Sequence, residues 1–205
     1  MNSAEQETLA TRDRLIESAF QLFARKGFRR VNLDQIAAAA GVTKGSLYWH
    51  FRSKQEIITA ASAFYYRTYQ RRMNAAVAPA RDAWDRLRRA LRFAVRTCLL
   101  DQDNRVFTTE IFTHAVHHEE TRTAWRQFYD SVREFYLGLV QAAVLAGQLA
   151  PANPEDAVNT MLAAMEGIKL RALFEPELCS SREEGRMLES LLAVLIPVHA
   201  TATPS

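Results

Sequence analysis

Between positions 43 and 54 the chain sets Thr43, Lys44, Gly45 and Ser46 ahead of Tyr48, Trp49, His50 and Lys54. Small or hydrogen-bonding groups come first, aromatic and cationic ones after. On a helix that order suits nucleic acid. The first residues of an inserted helix meet base edges, and its flanks meet phosphates. Thr43, Tyr48, His50 and Lys54 can each donate to a phosphate. Lys44 and Ser46 stand where bases would be read, and Gly45 lets a backbone approach closely. Tyr48, Trp49 and His50 could also form a plain surface aromatic patch. With Lys44 ahead of them, nucleic-acid contact is the preferred reading, with partial packing on its own domain as the alternative for Trp49.

Two other constellations carry chemistry. Glu110, His114 and His118 recur every four residues, with His117 beside them, and one helix face bearing these groups could hold Zn²⁺ or a similar ion. The plainer reading is a polar helix end, and no metal or other cofactor is assigned. Glu166 sits among Met161, Leu162, Met165 and Ile168; it is read as a buried ligand-binding carboxylate or, failing that, a partly exposed flank. Arg96, near Val95 and Cys98, poses the same question, whereas Arg88 and Arg92 read as a solvated face. No glycine-rich phosphate loop, nucleophile elbow or HExxH pair occurs, so no catalytic residue is named and an enzyme is not expected.

Composition fits these readings. The 205 residues are 48% hydrophobic, as in a globular chain. Apolar runs such as 36–40 and 191–197 fall far short of the ~20 residues a membrane span needs. The polar start, with Glu5 and Glu7, does not read as a signal peptide. Cys98 and Cys179 form no disulfide framework, so both are expected as reduced thiols in a cytoplasmic protein. Residues 1–54 hold nine basic and five acidic side chains, a net of +4, while the rest carries 17 and 18, a net of −1. A basic head on a neutral body suits a nucleic-acid-binding chain.

Helical periodicity runs almost from end to end. The first helix is expected over 11–26, with Leu15, Ile16, Ala19, Phe20, Leu22 and Phe23 on one face and Gly27 as its stop. Asn32 and Gln35 form a capping box for a short helix to about residue 40. Gly41 turns the chain, and Thr43 caps a third helix to residue 50 with Leu47 inward. Ser53 and Glu56 open a fourth helix over 54–76, ~35 Å long. Past a break near 77–81, five more are expected over 83–100, 104–117, 119–146, 154–174 and 182–198. The result is an all-α chain of about nine helices.

Two short helices joined through Ala40-Gly41-Val42-Thr43 make a helix-turn-helix. The run Asn32-Leu-Asp-Gln-Ile36-Ala37, then Ala40-Gly41-Val42-Thr43-Lys-Gly45-Ser-Leu47-Tyr48, and His50-Phe51 with Lys54 resembles the signature of the tetracycline-repressor (TetR) family. The resemblance covers roughly residues 12–60. Asn32 stands where that family more often has Thr, and caps a helix equally well.

The resemblance implies a repressor with a DNA-binding domain at 1–54, a ligand-binding and dimerisation body at 55–199 and a disordered tail at 200–205. It implies a double-stranded operator, a small-molecule inducer, a homodimer and no membrane partner. Operator contacts are then expected from Asn32, Thr43, Lys44, Gly45, Ser46, Tyr48, Trp49, His50 and Lys54. Aromatic side chains of the body, on helices expected to converge, suggest a cavity for an apolar or aromatic molecule. Phe93, Arg96, Phe112, Trp125, Phe128, Tyr129, Met165 and Glu166 are its expected lining. Val158, Met161, Leu162, Met165, Leu188, Leu191, Leu192 and Leu195 give the last two helices more apolar surface than one packed side needs. A four-helix dimer interface is therefore expected, with contacts at Met161, Leu188, Leu191, Leu192 and Leu195. The alternative is a DNA-binding regulator without a small ligand, controlled by a protein partner or a metal.

Overall fold

Side-chain caps set where the helices begin. Asn32, Thr43, Asp82 and Asn153 each accept backbone N–H groups at the start of a helix. The computed structural model describes residues 3–196. These form α1 (Ser3–Lys26), α2 (Leu33–Ala39), α3 (Lys44–His50), α4 (Lys54–Val77), α5 (Ala83–Ala94), α6 (Gln102–His117), α7 (Glu119–Leu145), α8 (Pro154–Arg171) and α9 (Glu184–Ala193). Strands are absent among the described residues, so the all-α expectation holds. None of the helices is long and apolar enough to cross a membrane.

Element bounds depart from expectation in four places. α1 begins eight residues earlier than read. The helix expected over 83–100 stays α-helical only to Ala94 and continues as a π-helical turn, Val95–Leu100. α8 stops at Arg171, and α9 is short, preceded by two 3₁₀ turns at Pro176–Cys179 and Ser181–Glu183. The expected tail at 200–205 lies outside the described residues.

The chain divides into two compact units. The first comprises residues through Arg71 together with Gln102–Phe128; the second comprises Arg72–Asp101 and the residues from Tyr129 onward. The grouping does not coincide with a boundary after residue 54, because α6 packs on α1. There Phe107 meets Phe20 edge-on at 4.8 Å and Phe28 at 5.8 Å. Below them Leu15, Ile16, Ala19, Phe23, Ile36, Leu47, Phe51 and Ile57 are almost fully buried. The Arg12 guanidinium covers the Phe51 ring at 5.2 Å.

In the second unit α5 buries Leu87, Ala90, Leu91 and Ala94. The Tyr136 hydroxyl of α7 donates to the Ala90 carbonyl at 3.1 Å. α8 and α9 complete this core and require a correction. Met161, Leu188, Leu191, Leu192 and Leu195, expected at a dimer interface, are between 0% and 2% exposed within the single chain. Val158, Leu162 and Met165 are buried as well. α9 lays its apolar stripe against α5, α8 and the π-helical turn, so the surplus apolar surface is consumed internally.

Candidate nucleic-acid interface

The reading helix is held from behind. Leu47 is wholly buried, and α3 packs on α2 through it. The turn between them needs Gly41, whose φ of +67° is left-handed and would cost other residues about 1–2 kcal/mol. Val42 N–H closes that turn by donating to the Ala37 carbonyl at 3.0 Å. Asn32 caps α2 reciprocally: its Oδ1 accepts from Gln35 N–H at 2.9 Å, and Gln35 Oε1 accepts from Asn32 N–H at 2.9 Å. Fixing both short helices in this way fixes the direction in which α3 faces solvent.

The exposed face of α3 matches most of the expected set. Thr43 Oγ1 accepts from Ser46 N–H at 3.1 Å, which leaves the hydroxyl proton for an outside acceptor. Gly45 has no packing reason to be bare. A Cβ there would meet only Thr43 Oγ1, at 3.9 Å, so space is kept on the solvent side. Tyr48 is 47% exposed. His50 is half-buried; burial, and then the charge of Arg12, lower its pKa, so at neutral pH the ring is mainly uncharged. Lys54 opens α4 half-buried, its pKa lowered by burial and raised in part by Glu110. Trp49 does not take the alternative of packing on its own domain. It stands 71% exposed, with its ring edge-on to His50 at 4.6 Å.

One partner was missed in the sequence. Lys44 Nζ lies 2.8 Å from Asp34 Oδ1, an exposed pair linking α3 to α2. The hydrogen bond and charge of Asp34 raise the Lys44 pKa. A phosphate or base must therefore compete with Asp34 for this cation.

Glu110 also has a partner beyond its own helix. Its Oε2 accepts from Phe28 N–H at 3.0 Å, tying α6 to the end of α1. A Cβ on Gly27 would come within 2.7 Å of Glu110 Oε1, so glycine is needed there for this contact as well as for its φ of +77°. His114 stacks on His118 at 3.8 Å, and its Nδ1 pairs with Thr121 Oγ1 at 3.2 Å. Among the described residues, groups of three His, Cys, Asp or Glu placed to hold a metal are absent.

The expected ligand-lining residues are distributed over both units. In the first unit Trp125 and Phe128 come together with Tyr66 of α4. Tyr66 stacks on Phe128 at 4.4 Å and lies 6.0 Å from Trp125. The Tyr66 hydroxyl is buried without a hydrogen-bond partner among the described residues, as is Thr59 Oγ1 one face-repeat earlier on α4. Burial pushes the Tyr66 pKa up. Neither Thr59 nor Tyr66 was anticipated as lining; their seven-residue spacing on an aromatic helix was the available signal.

In the second unit Tyr129 faces Glu166, and burial, then Glu166 and Cys98, raise its pKa. Glu166 is only one-third exposed, but its carboxylate is 2.5 Å from the buried Nζ of Lys169. Met165 is core. Phe93 of α5 and Arg96 of the π-helical turn line a groove in that unit. Phe112 is a correction: it is 48% exposed on α6 and lines nothing buried, because α6 turns Phe107 and Ile111 inward instead.

Comparison with known proteins bears on both halves of the chain. The model of bacterial regulatory proteins of the TetR family matches residues 15–61, and that of the BetI-type transcriptional repressor C-terminal region matches residues 83–197. The HTH-type transcriptional regulator TtgR of Pseudomonas putida is 30% identical over 179 residues, covering 84% of this chain and 85% of that protein. TtgW of the same organism is 46% identical over 57 residues, where the match spans 28% of this chain and 42% of TtgW. Among solved structures, a transcriptional regulator from Saccharomonospora viridis in complex with choline superposes with a TM-score of 0.79 at 22% identity. It covers 89% of this chain and 93% of that one, and shares the fold.

Proposed function

Because the chain belongs to the TetR family of bacterial regulatory proteins, we propose that it binds a palindromic operator as a homodimer through α3 and is released by a small apolar or aromatic molecule. Its relatives are transcriptional regulators and not enzymes. The observation that carries the operator reading is the outer face of α3: Thr43, Lys44, bare Gly45 and Tyr48 in the open and Ser46 half-buried, over a wholly buried Leu47. Thr43, Tyr48, His50 and Lys54 position the helix on phosphates, with Asn32 at the start of α2, and Trp49 extends the exposed patch. Lys44 and Ser46 read bases.

Charge substitutions on this face test it. Asp34→Asn frees Lys44 and removes a negative charge from this face, so DNA binding is expected to tighten. Lys54→Ala is expected to do the opposite, weakening specific and random DNA alike. Titrations of both variants that match the parent in affinity and slope would remove α3 and the start of α4 from the interface.

The inducer reading rests on the Tyr66–Trp125–Phe128 wall, whose Tyr66 hydroxyl is buried and unpartnered. Lys54 and Tyr66 lie on one helix, ~18 Å apart by its rise. A ligand held against Tyr66 and Trp125 can therefore displace the end of α4 that meets DNA. The choline bound by the Saccharomonospora viridis protein makes quaternary ammoniums a first class to try, since aromatic walls hold such cations. A ligand selected by the stability it confers is expected to lose its effect on Trp125→Ala, a coupling of ~1–3 kcal/mol, with ligand-free DNA affinity retained. An unchanged response in that variant moves the pocket elsewhere. For the dimer, the outward face of α8 and α9 is the surface available: Ala163, Gly167 and Leu170 with Gly185, Ala193 and Ile196 are all exposed.

A further inference from the structure

Arg88 and Arg92 were read from sequence as a solvated face, but the side of α5 that carries them is concave. Arg81, Arg88, Arg89, Arg92 and Arg96 line a cavity of about 520 Å³ in the second unit. That volume lies within the ~300–1,000 Å³ typical of small-molecule sites. Trp84 and Phe93, both half-buried, form its apolar walls. The Arg88 guanidinium sits 6.0 Å over Trp84, and that of Arg72 sits 5.7 Å over Phe93.

The guanidiniums outnumber their partners. Asp85 is shared by Arg81 at 3.5 Å and Arg89 at 3.1 Å. Glu184 of α9 is shared by Arg96 at 2.9 Å and Arg92 at 3.9 Å. Arg88 reaches Glu189, also on α9, at 3.6 Å. Asp82 is committed to capping α5, where its Oδ1 accepts from Asp85 N–H at 2.8 Å. Six arginines, with Arg72 included, thus stand against four carboxylates. A concave wall concentrates the field of such a surplus. Guanidiniums pair with carboxylate or phosphate through two parallel hydrogen bonds, and flat rings stack on Trp and Phe.

We propose that this groove binds a small aromatic anion, a carboxylate or a phosphate ester, at a site separate from the Tyr66–Trp125 wall. The anion takes the place of Glu184 and Glu189 on Arg88, Arg92 and Arg96. Binding therefore competes with the ion pairs that hold α9 to α5, and α9 carries part of the surface offered above for the dimer.

The test is isothermal titration of the full chain at low ionic strength with 2-naphthoate, 2-naphthyl phosphate and the neutral 2-naphthamide. At least one anion is expected to bind saturably and about tenfold or more tighter than the amide, and the tighter of the two identifies the headgroup. Arg88→Gln with Arg92→Gln is expected to weaken that binding at least about tenfold. Glu184→Gln, which removes the internal competitor, is expected to tighten it, and Trp125→Ala to leave it unchanged. Anions that bind no better than the amide would overturn the proposal and leave the arginines as a clamp on α9. The same follows if Glu184→Gln and the double arginine variant both bind as the parent does. Neither outcome touches the operator reading, which is scored on DNA.

Discussion

Ala163→Arg combined with Ala193→Arg is expected to give folded monomers whose operator affinity is lower by about 100-fold or more. Both alanines are exposed on the single chain, so the added side chains disturb no core. α8 offers Ala163, Gly167 and Leu170 at spacings of four and three, and Gly185 and Ala193 lie exposed on α9, with Ile196 just past its end. Residues this small let helices approach to the 8–10 Å of a packed pair, and an arginine in that gap forces them apart. Two linked heads engage two half-sites, and losing the link forfeits an avidity gain of about 10²–10⁴. Sedimentation of the parent and the variant reads the mass, and a DNA titration reads the second effect. A variant that sediments as the parent does would exclude this face as the dimer contact.

Leu192→Asp is expected to do something different, namely to unfold the second unit. Leu192 is 2% exposed, with Leu188 and Leu191 buried on the same short helix and Leu195 buried just past its end. Replacing a buried leucine costs about 2–5 kcal/mol in lost packing, and a buried unpaired carboxylate adds several more. Total stabilities are about 5–15 kcal/mol, so either a large drop in midpoint or outright unfolding follows. At roughly 2–4 °C per kcal/mol for a chain of this size, the midpoint falls by ~10 °C at the least. Leu192→Met, of similar volume, is expected to change little. Circular dichroism with thermal melting separates the cases. If Leu192→Asp yields a monomer with the parent's helicity and midpoint, this leucine faces a second chain rather than its own core.

The contrast between those two positions shows where sequence reading stopped. Periodicity revealed that α8 and α9 carry apolar stripes, but not whether the same chain would cover them. Leu188 and Leu192 looked like interface because they are large. The open face, built on Ala163, Gly167 and Gly185, is nearly silent in a hydrophobic pattern. The head was legible because its signals are local: the Asn32–Gln35 box, the left-handed Gly41, the Thr43 cap and the inward Leu47 all act within a few residues.

Partners set by tertiary structure were not legible. Lys44 looked unpaired until α2 brought Asp34 to 2.8 Å. Glu110 looked like a helix-face companion of His114 and His118 until Phe28 N–H, 82 residues away, proved to be its donor. The π-helical turn at Val95–Leu100 is too short for its wider period to register against an α-helical one. It ends the regular part of α5 just before Arg96, which lines one groove with Arg88 and Arg92, the two arginines read as a solvated face.

Selection of duplexes from a random-sequence library by the full chain, with sequencing of the bound DNA, tests the central claim most directly. The expected result is an inverted repeat with half-site centres about one helical turn, ~34 Å, or somewhat more apart, whose preferred bases change when Ser46 or Lys44 is substituted. Recovery of no preferred sequence, or of a motif that stays the same in those α3 variants, would contradict it.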